Sequence, residues 1–320
     1  MSYESVRPLA QSGRPSRVAL VGIGKIARAQ HLPAVRANAG YALTAAVSQH
    51  STVEGTKTYS SLDALLRSDA RIDAISLCTP PVGRHALACA AIDAGLHVML
   101  EKPPGATVAE VLALEQRARR AGVSLFASWH SREAPGVAPA REWLATRRIR
   151  QLRATWKEDI RVWHPGQDWI LAAGGLGVFD PGINCFSILT RILPGRMYLQ
   201  RSTLHVPVNR ESPIAATLDF VYESGAPVHA DFDFLYAGEP AWTIEIETDG
   251  GTLQLAQGGH RLDIEGKVIP VEAQGEYPRL YARFAQLIAA RESDVDVLPL
   301  QHVADAFLLA QRRDAPAFEF

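Results

Sequence analysis

The chain has 320 residues, with 33 Lys+Arg against 34 Asp+Glu, a formal net charge of −1 and 47% hydrophobic residues. At roughly 100–200 residues per domain, this length predicts two domains with ample cores. The balanced charge excludes the basic surface that nucleic acid or an anionic membrane requires, and the apolar content excludes a mainly disordered chain.

Residues 1–16, with Pro8, Gly13 and Pro15 and no periodicity, are expected to form a flexible arm. Val18-Ala19-Leu20-Val21 is a short apolar run entering a glycine turn, and Ile26 to Ala37 reads as a helix broken near Pro33. Strand signals follow at Tyr41 to Val47, Ala74 to Cys78, His97 to Leu100 and Val123 to Ala127. Helix signals lie between them at Leu62 to Leu66, Arg84 to Ala94 and Val108 to Ala121, the last two stopped by Gly95 and Gly122. Buried, non-alternating strands separated by helices predict an α/β domain over residues 17–131, a doubly wound parallel sheet covered on both faces.

From about Met197 the period changes to two. Leu218, Phe220 and Tyr222 oppose Thr217 and Asp219; Ala230, Phe232, Phe234 and Tyr236 oppose His229, Asp231 and Asp233. Ile244 and Ile246 oppose Thr243, Glu245 and Glu247, and Asp249-Gly250 is a hairpin-type turn. An α+β domain over residues 132–320 is therefore expected, an open and mainly antiparallel sheet covered by helices on one face. Those helices are expected after Gly177, over Arg279 to Ala290 and over Gln301 to Arg312. The other face is left to water or to a second copy, so a homodimer through it is expected.

Gly22-Ile23-Gly24-Lys25-Ile26-Ala27 has the spacing G-x-G-x-x-A, directly after the first strand and opening a helix. The first glycine permits a tight turn, the second lets backbone approach a pyrophosphate, and the small Ala27 allows close helix–strand packing. The segment is read as a dinucleotide-binding loop rather than a merely tight turn. An NAD-selective site places an acid after the second strand to bond the ribose 2′-hydroxyl. Here Ser48-Gln49-His50-Ser51 stands there, with no acid before Glu54. The missing charge tolerates a 2′-phosphate to which Ser48 and His50 can donate, so NADP is expected, with NAD as a second cofactor; alternatively these are turn residues only.

Glu101-Lys102-Pro103 ends the fourth parallel strand, on the side where ligands of open α/β sheets bind. On the strand alone, Lys102 reads equally as a donor to a substrate oxygen or as a solvated surface lysine. Taken in order, Gly22-x-Gly24-x-x-Ala27, Thr79-Pro80 followed by His85, and Glu101-Lys102-Pro103 resemble the family of glucose–fructose oxidoreductase and inositol dehydrogenase. The resemblance covers nearly the whole chain from Arg17. It implies a dinucleotide-binding domain followed by a substrate-binding domain, and hydride transfer on a sugar or polyol at an interdomain cleft. It also implies that Lys102 lies by the nicotinamide and the reacting hydroxyl. Cofactor contacts are implied for Gly22, Gly24, Lys25, Ile26, Ser48, His50, Thr79, Pro80, His85, Glu101 and Lys102, although His85 reads as well as a capping or packing residue.

Many members of that family carry an Asp and, four residues later, a His that serves as base. This chain has Asp180 with Asn184 in that place. Asn cannot act as a base, so the role moves to Asp180 or to a neighbouring His. Asp180 and Asn184, with Trp163-His164-Pro165-Gly166 upstream, are similar to the aldose 1-dehydrogenases acting on L-arabinose, D-galactose and related sugars. Oxidation of an aldopyranose at C1 needs a base for the O1 proton and a cationic donor; Asp180 is read as that base and Lys102 as the donor that orients O1, giving an aldonolactone. Spacing i, i+4 puts Asp180 and Asn184 on one helix face. Asp180 before Pro181 also reads as a helix N-cap, and Asn184 as a satisfied buried amide.

Five of the six tryptophans (Trp129, Trp143, Trp156, Trp163 and Trp169) fall within 41 residues. Aromatic faces stack on sugar C–H groups, so Trp163, with Glu158, His164 and His130, is a candidate for the substrate pocket. Each His also reads as structural, and Trp143, Trp156 and Trp169 read as core. No metal-ligand spacing is present and no metal is expected. Cys78, Cys89 and Cys185 form no disulfide framework. With no secretory signal and no apolar run of about 18 residues, they are expected in a cytoplasmic, non-membrane protein. An inositol- or glucose-type dehydrogenase and a non-catalytic NADP-binding regulator are the competing readings.

Overall fold

A computed structural model describes residues 14–272 and 275–320; all but the last three residues of the arm expected over 1–16 lie outside the described residues. Apolar runs form β1 (Ser16–Val21), β2 (Tyr41–Val47), β4 (Ala74–Leu77), β5 (His97–Glu101) and β6 (Leu125–Ser128), with β3 (Thr58–Tyr59) as a short edge. Between them lie α1 (Leu32–Ala37), α2 (Leu62–Leu66), α3 (Arg84–Asp93) and α4 (Val108–Ala121). Every pairing is parallel and the order is β3-β2-β1-β4-β5-β6. The order reverses between β1 and β4, a switch point at which such sheets bind ligands. Pro33 does not break the first helix. A π-helical turn, Ala27–His31, runs into α1, and Pro33 falls in its first turn, where an N–H is dispensable.

The rest of the chain forms α5 (Val137–Leu144), β7 (Ile149–Lys157), α6 (Ile160–Trp163), α7 (Phe179–Ile192), β8 (Met197–Pro207), β9 (Ala215–Tyr222) and β10 (Pro227–Asp233). There follow β11 (Ala241–Thr248), β12 (Gly251–Ala256), β13 (Arg261–Ile264), β14 (Lys267–Ile269), α8 (Glu276–Ala290), α9 (Leu298–Leu308) and β15 (Ala310–Ala315). A nine-stranded sheet results, in the order β14-β13-β12-β11-β7-β10-β9-β8-β15. It is antiparallel except where β7 meets β10 and β8 meets β15. Among the described residues no helix is long and apolar enough to cross a membrane.

Two compact units emerge, and the division differs from a single boundary after residue 131. The first runs to Ser128 and resumes at Tyr277–Val295; the second is Trp129–Glu276 with Asp296–Phe320. Helix α8, expected from its place in the chain to cover the nine-stranded sheet, belongs instead to the first unit. Its stripe Tyr277, Leu280, Tyr281, Phe284 and Leu287, at helical spacing, packs with Val18, Tyr41, Met99 and Phe126 of the parallel sheet. The helix expected through Arg312 stops at Leu308, and Ala310–Ala315 pairs with β8 as an edge strand. Its polar residues carry no alternation, because an edge strand's open side needs none.

In the second unit the alternation is realised: Leu218, Phe220, Tyr222, Ala230, Phe232, Phe234, Ile244 and Ile246 are buried. Tyr236 is exposed, since β10 ends at Asp233 and the alternation lapses there. Helix α7 lies on this face, with Phe179 and Phe186 set edge-on to Phe232 at 5.8 and 5.5 Å. His302 of α9 is wedged against Phe186 and Phe220, each 5.6 Å away, and its Nδ1 is buried without a hydrogen-bond partner. Burial holds its pKa down to about 4, against the weaker opposing pull of Asp296. An unfolded chain takes up this proton near pH 6.5 and the folded chain only near 4, so stability is full above 6.5 and drains as pH falls toward 4. The loss should approach roughly 3 kcal/mol. Urea unfolding of His302→Phe at pH 7 and pH 4 should show a correspondingly flatter pH dependence; an unaltered slope would place the acid sensitivity elsewhere.

Candidate active site

Gly22 has φ +86°, and a Cβ there would lie 2.9 Å from the Thr79 backbone nitrogen and side chain. Glycine is thus required where the turn after β1 crosses the end of β4. Gly24 is exposed, and a Cβ there would meet nothing within 4 Å. Ala27 is fully buried, Ile26 half-buried and Lys25 exposed. Thr79 Oγ1 is buried without a hydrogen-bond partner, and Pro80 beside it is exposed. Turn geometry accounts for Gly22 alone. The open backbone at Gly24, the unsatisfied hydroxyl and the helix start fit a dinucleotide's phosphates.

After β2, Ser48 Oγ accepts from the backbone N–H of Ser51 at 3.1 Å and of His50 at 3.4 Å, leaving its own O–H to donate. The His50 side chain is exposed. Arg28, absent from the sequence-derived candidates, donates to the Thr52 carbonyl at 3.2 Å and so brings a guanidinium to this loop. His85 is half-buried with Cys89 Sγ 3.7 Å away on its own helix, a packing contact.

The end of β5 is held from several directions. Glu101 is buried; one carboxylate oxygen accepts from Tyr277 Oη at 2.5 Å and stands 3.3 Å from His31 Nε2. His31 Nδ1 lies 2.8 Å from Tyr281 Oη, which lies 3.0 Å from Ser76 Oγ. Burial disfavours a charge on His31, but Cys78, Tyr281 and Glu101 outweigh it and raise its pKa well above the ordinary value. Burial raises the pKa of Tyr281. Buried Arg84, at the start of α3, donates through Nε to the Thr79 carbonyl at 3.0 Å and through its terminal nitrogens to the carbonyls of Thr79, Glu101 and Pro103. Lys102 is half-buried within the otherwise buried run from Glu101 to Gly105.

In the second unit, the glycines before α7 set its first turn. A Cβ on Gly177 (φ +56°) would lie 2.2 Å from the Pro213 carbonyl, and one on Gly175 would lie 2.3 Å from two others. The helix cap is Val178, so Asp180 is not an N-cap; it is a buried side chain inside the first turn. His164 Nε2 lies 3.7 Å from Asp180 Oδ2 and 3.5 Å from Glu158 Oε1. Buried Glu158 accepts from Trp242 Nε1 at 2.9 Å. Trp242 meets Trp163 edge-on at 5.1 Å and stacks on Trp156 at 6.3 Å, and Trp163 is 41% exposed, leaving ring surface to a ligand. Asn184 is half-buried one helical turn beyond Asp180. His130 pairs with Glu276 at 2.6 Å. Trp156 is buried as expected of core, whereas Trp143 and Trp169 are half-exposed, Trp143 lying under the Arg147 guanidinium at 4.0 Å.

The structure thus gathers Asp180, His164, Glu158 and Trp163 into one cluster. Trp242 and Glu276 escaped the sequence reading. Trp242 carried a usable signal, since it is in phase with the inward-facing Ile244 and Ile246. A histidine between two carboxylates, beside aromatic rings, can relay a proton away from a hydroxyl group. Among the described residues no group of three His, Cys, Asp or Glu is placed to hold a metal ion.

Residues 16–128 match the model of the oxidoreductase family with an NAD-binding Rossmann fold (Gfo/Idh/MocA). The chain is 44% identical to galactose 1-dehydrogenase from Pseudomonas fluorescens over 95% of its length and 99% of that protein's. It superposes on the crystal structure of D-galactose-1-dehydrogenase from Rhizobium etli with a TM-score of 0.92 and 51% identity, covering 97% of this chain and 99% of that one. A 3-ketoreductase from Actinomadura kijaniata, solved with NADP, shares the fold at 19% identity and a TM-score of 0.81, covering 94% and 100%. By its motifs, its two-sheet architecture and these likenesses, the chain belongs to the Gfo/Idh/MocA family and is a nicotinamide-dependent oxidoreductase.

Proposed function

We propose that the enzyme is an aldose 1-dehydrogenase, oxidising C1 of an aldopyranose of the D-galactose, L-arabinose or D-fucose type to the aldonolactone. The observation that carries this reading is the cluster of buried Asp180 and Glu158 around half-buried His164, bordered by Trp163 and Trp242. The galactose dehydrogenases among its relatives support the sugar. Oxidation of a hemiacetal needs a base for the O1 proton and an acceptor for the C1 hydride; the nicotinamide, when bound, supplies the second. Asp180 takes the O1 proton, and His164, 3.7 Å from it, receives that proton in turn, steadied by Glu158. Lys102 donates to the reacting oxygen and favours its anionic form. Asn184 and the exposed face of Trp163 engage ring hydroxyls and C–H groups.

We assign NADP as the preferred cofactor, with NAD also accepted. The loop from Ser48 to Thr52 carries no acid, and Ser48, His50 and Arg28 offer donors for a 2′-phosphate. A homodimer is assigned to the open face of the nine-stranded sheet, where Tyr198 of β8 is exposed. The three free cysteines accord with a cytoplasmic location.

Nicotinamide absorbance with a panel of aldoses tests the substrate. D-galactose, L-arabinose and D-fucose should lead, and Asp180→Asn should keep the fold yet lose about 10²- to 10⁴-fold in turnover. A wide lead for D-glucose or myo-inositol, or near-normal turnover of the variant, would overturn the assignment. For the cofactor, His50→Ala and Arg28→Ala should each raise the KM for NADP by about fivefold to tenfold while that for NAD moves little, as loss of one charge-assisted contact implies. Equal losses for the two cofactors would remove the 2′-phosphate reading.

A further inference from the structure

We propose that Arg84 is a positioning residue for Lys102: its guanidinium braces the backbone turns that follow β4 and β5, and through them aims the lysine. The inference rests on the role given to Lys102 above. Arg84 is only 2% exposed. An arginine so deeply buried, held by backbone carbonyls at the ends of two separate strands, is costly unless the fork geometry is used. Its donors reach Thr79 on one side and both Glu101 and Pro103 on the other, so the residues flanking Lys102 are each fixed by their carbonyls. Gly83, in the left-handed conformation at φ +84°, lets the chain enter α3 so that this side chain comes first in the helix.

The opposite side of Glu101 is fixed as well. Its carboxylate takes the Tyr277 hydroxyl and faces His31, while its carbonyl takes Arg84. The residues before and after Lys102 are thus held through their carbonyls. Thr79, whose methyl group and backbone nitrogen border Gly22, is held by the same guanidinium, so one side chain ties the glycine turn's neighbour to the lysine's neighbours. Lysine in place of Arg84 has a single nitrogen and cannot span both strands' carbonyls.

A double-mutant cycle on the full-length enzyme with D-galactose and NADP tests this, reading single-turnover rates, with circular dichroism melts on every variant. Lys102→Met should cut the rate strongly with the fold retained. Arg84→Met should cut it by about tenfold to a hundredfold, the scale of a small misplacement of a reacting group. In the Lys102→Met background the same change at Arg84 should cost less than about twofold, because the residue through which it acts is gone. If the two losses multiply, Arg84 acts on the fold or the cofactor and the proposal fails while the role of Lys102 stands. Full activity of Lys102→Met alone would overturn the lysine reading and this inference with it. Should Arg84→Met not fold, Arg84→Lys replaces it in the same cycle and is held to the same criterion.

Discussion

Burial of Glu101 at the end of β5 is the constraint around which the first unit is arranged. A carboxylate removed from water must be met by donors, and three elements distant in sequence supply its surroundings. The π-helical turn after the glycine loop brings His31, α8 brings Tyr277, and α3 brings Arg84 to the carbonyl of the same residue. Tyr281 extends the polar chain to Ser76 on β4, and the Tyr41 hydroxyl donates to the Tyr281 carbonyl at 2.8 Å. A polar network of this kind is worth having only when every member is satisfied, and it then holds the backbone at Lys102 to one path.

The second unit solves a different problem with similar means. Asp180 and Glu158 are both buried, and two carboxylates brought toward one point would repel without a donor near them. His164 stands within 4 Å of both, and Trp242 gives its indole N–H to Glu158. Glycines that admit no side chain at 175 and 177 deliver Asp180 into the first turn of α7, where Phe179 and Phe186 anchor the helix to the sheet. The rigidity of the helix is supplied by apolar packing on one face, and the chemistry is carried by the polar residues at its start.

Much of this was legible in the residues themselves. The parallel sheet could be read because strands buried on both faces are continuous apolar runs, and the second sheet because one covered face imposes period two. Gly22, Gly24, Lys102 and Asp180 stood out because their settings, a glycine spacing, a strand end and a glycine-rich helix start, are local in sequence. Helix α8 was assigned to the wrong sheet for a physical reason: its amphipathic stripe declares that a partner exists but not which one. The strand at Ala310–Ala315 was hidden because a polar edge carries no pattern. Arg84, Tyr277 and Trp242 were missed because their meaning lies in contacts across 17, 176 and 84 positions of chain.

Residues that touch ligands and residues that hold them are thus recorded differently. A dinucleotide demands backbone approach, which only a short glycine motif provides, and so it leaves a contiguous mark. A support such as Arg84 needs only to arrive at three carbonyls from any direction, and many sequences could bring a fork of donors there. Its choice over lysine nevertheless follows from geometry. Carbonyls at the ends of two strands accept along different lines, and a planar guanidinium meets them from separate nitrogens with little further loss of freedom, whereas an ammonium group would have to reach all of them from a single nitrogen. The type of residue at such a position is dictated by the end of the parallel sheet, even though its location in the chain is not.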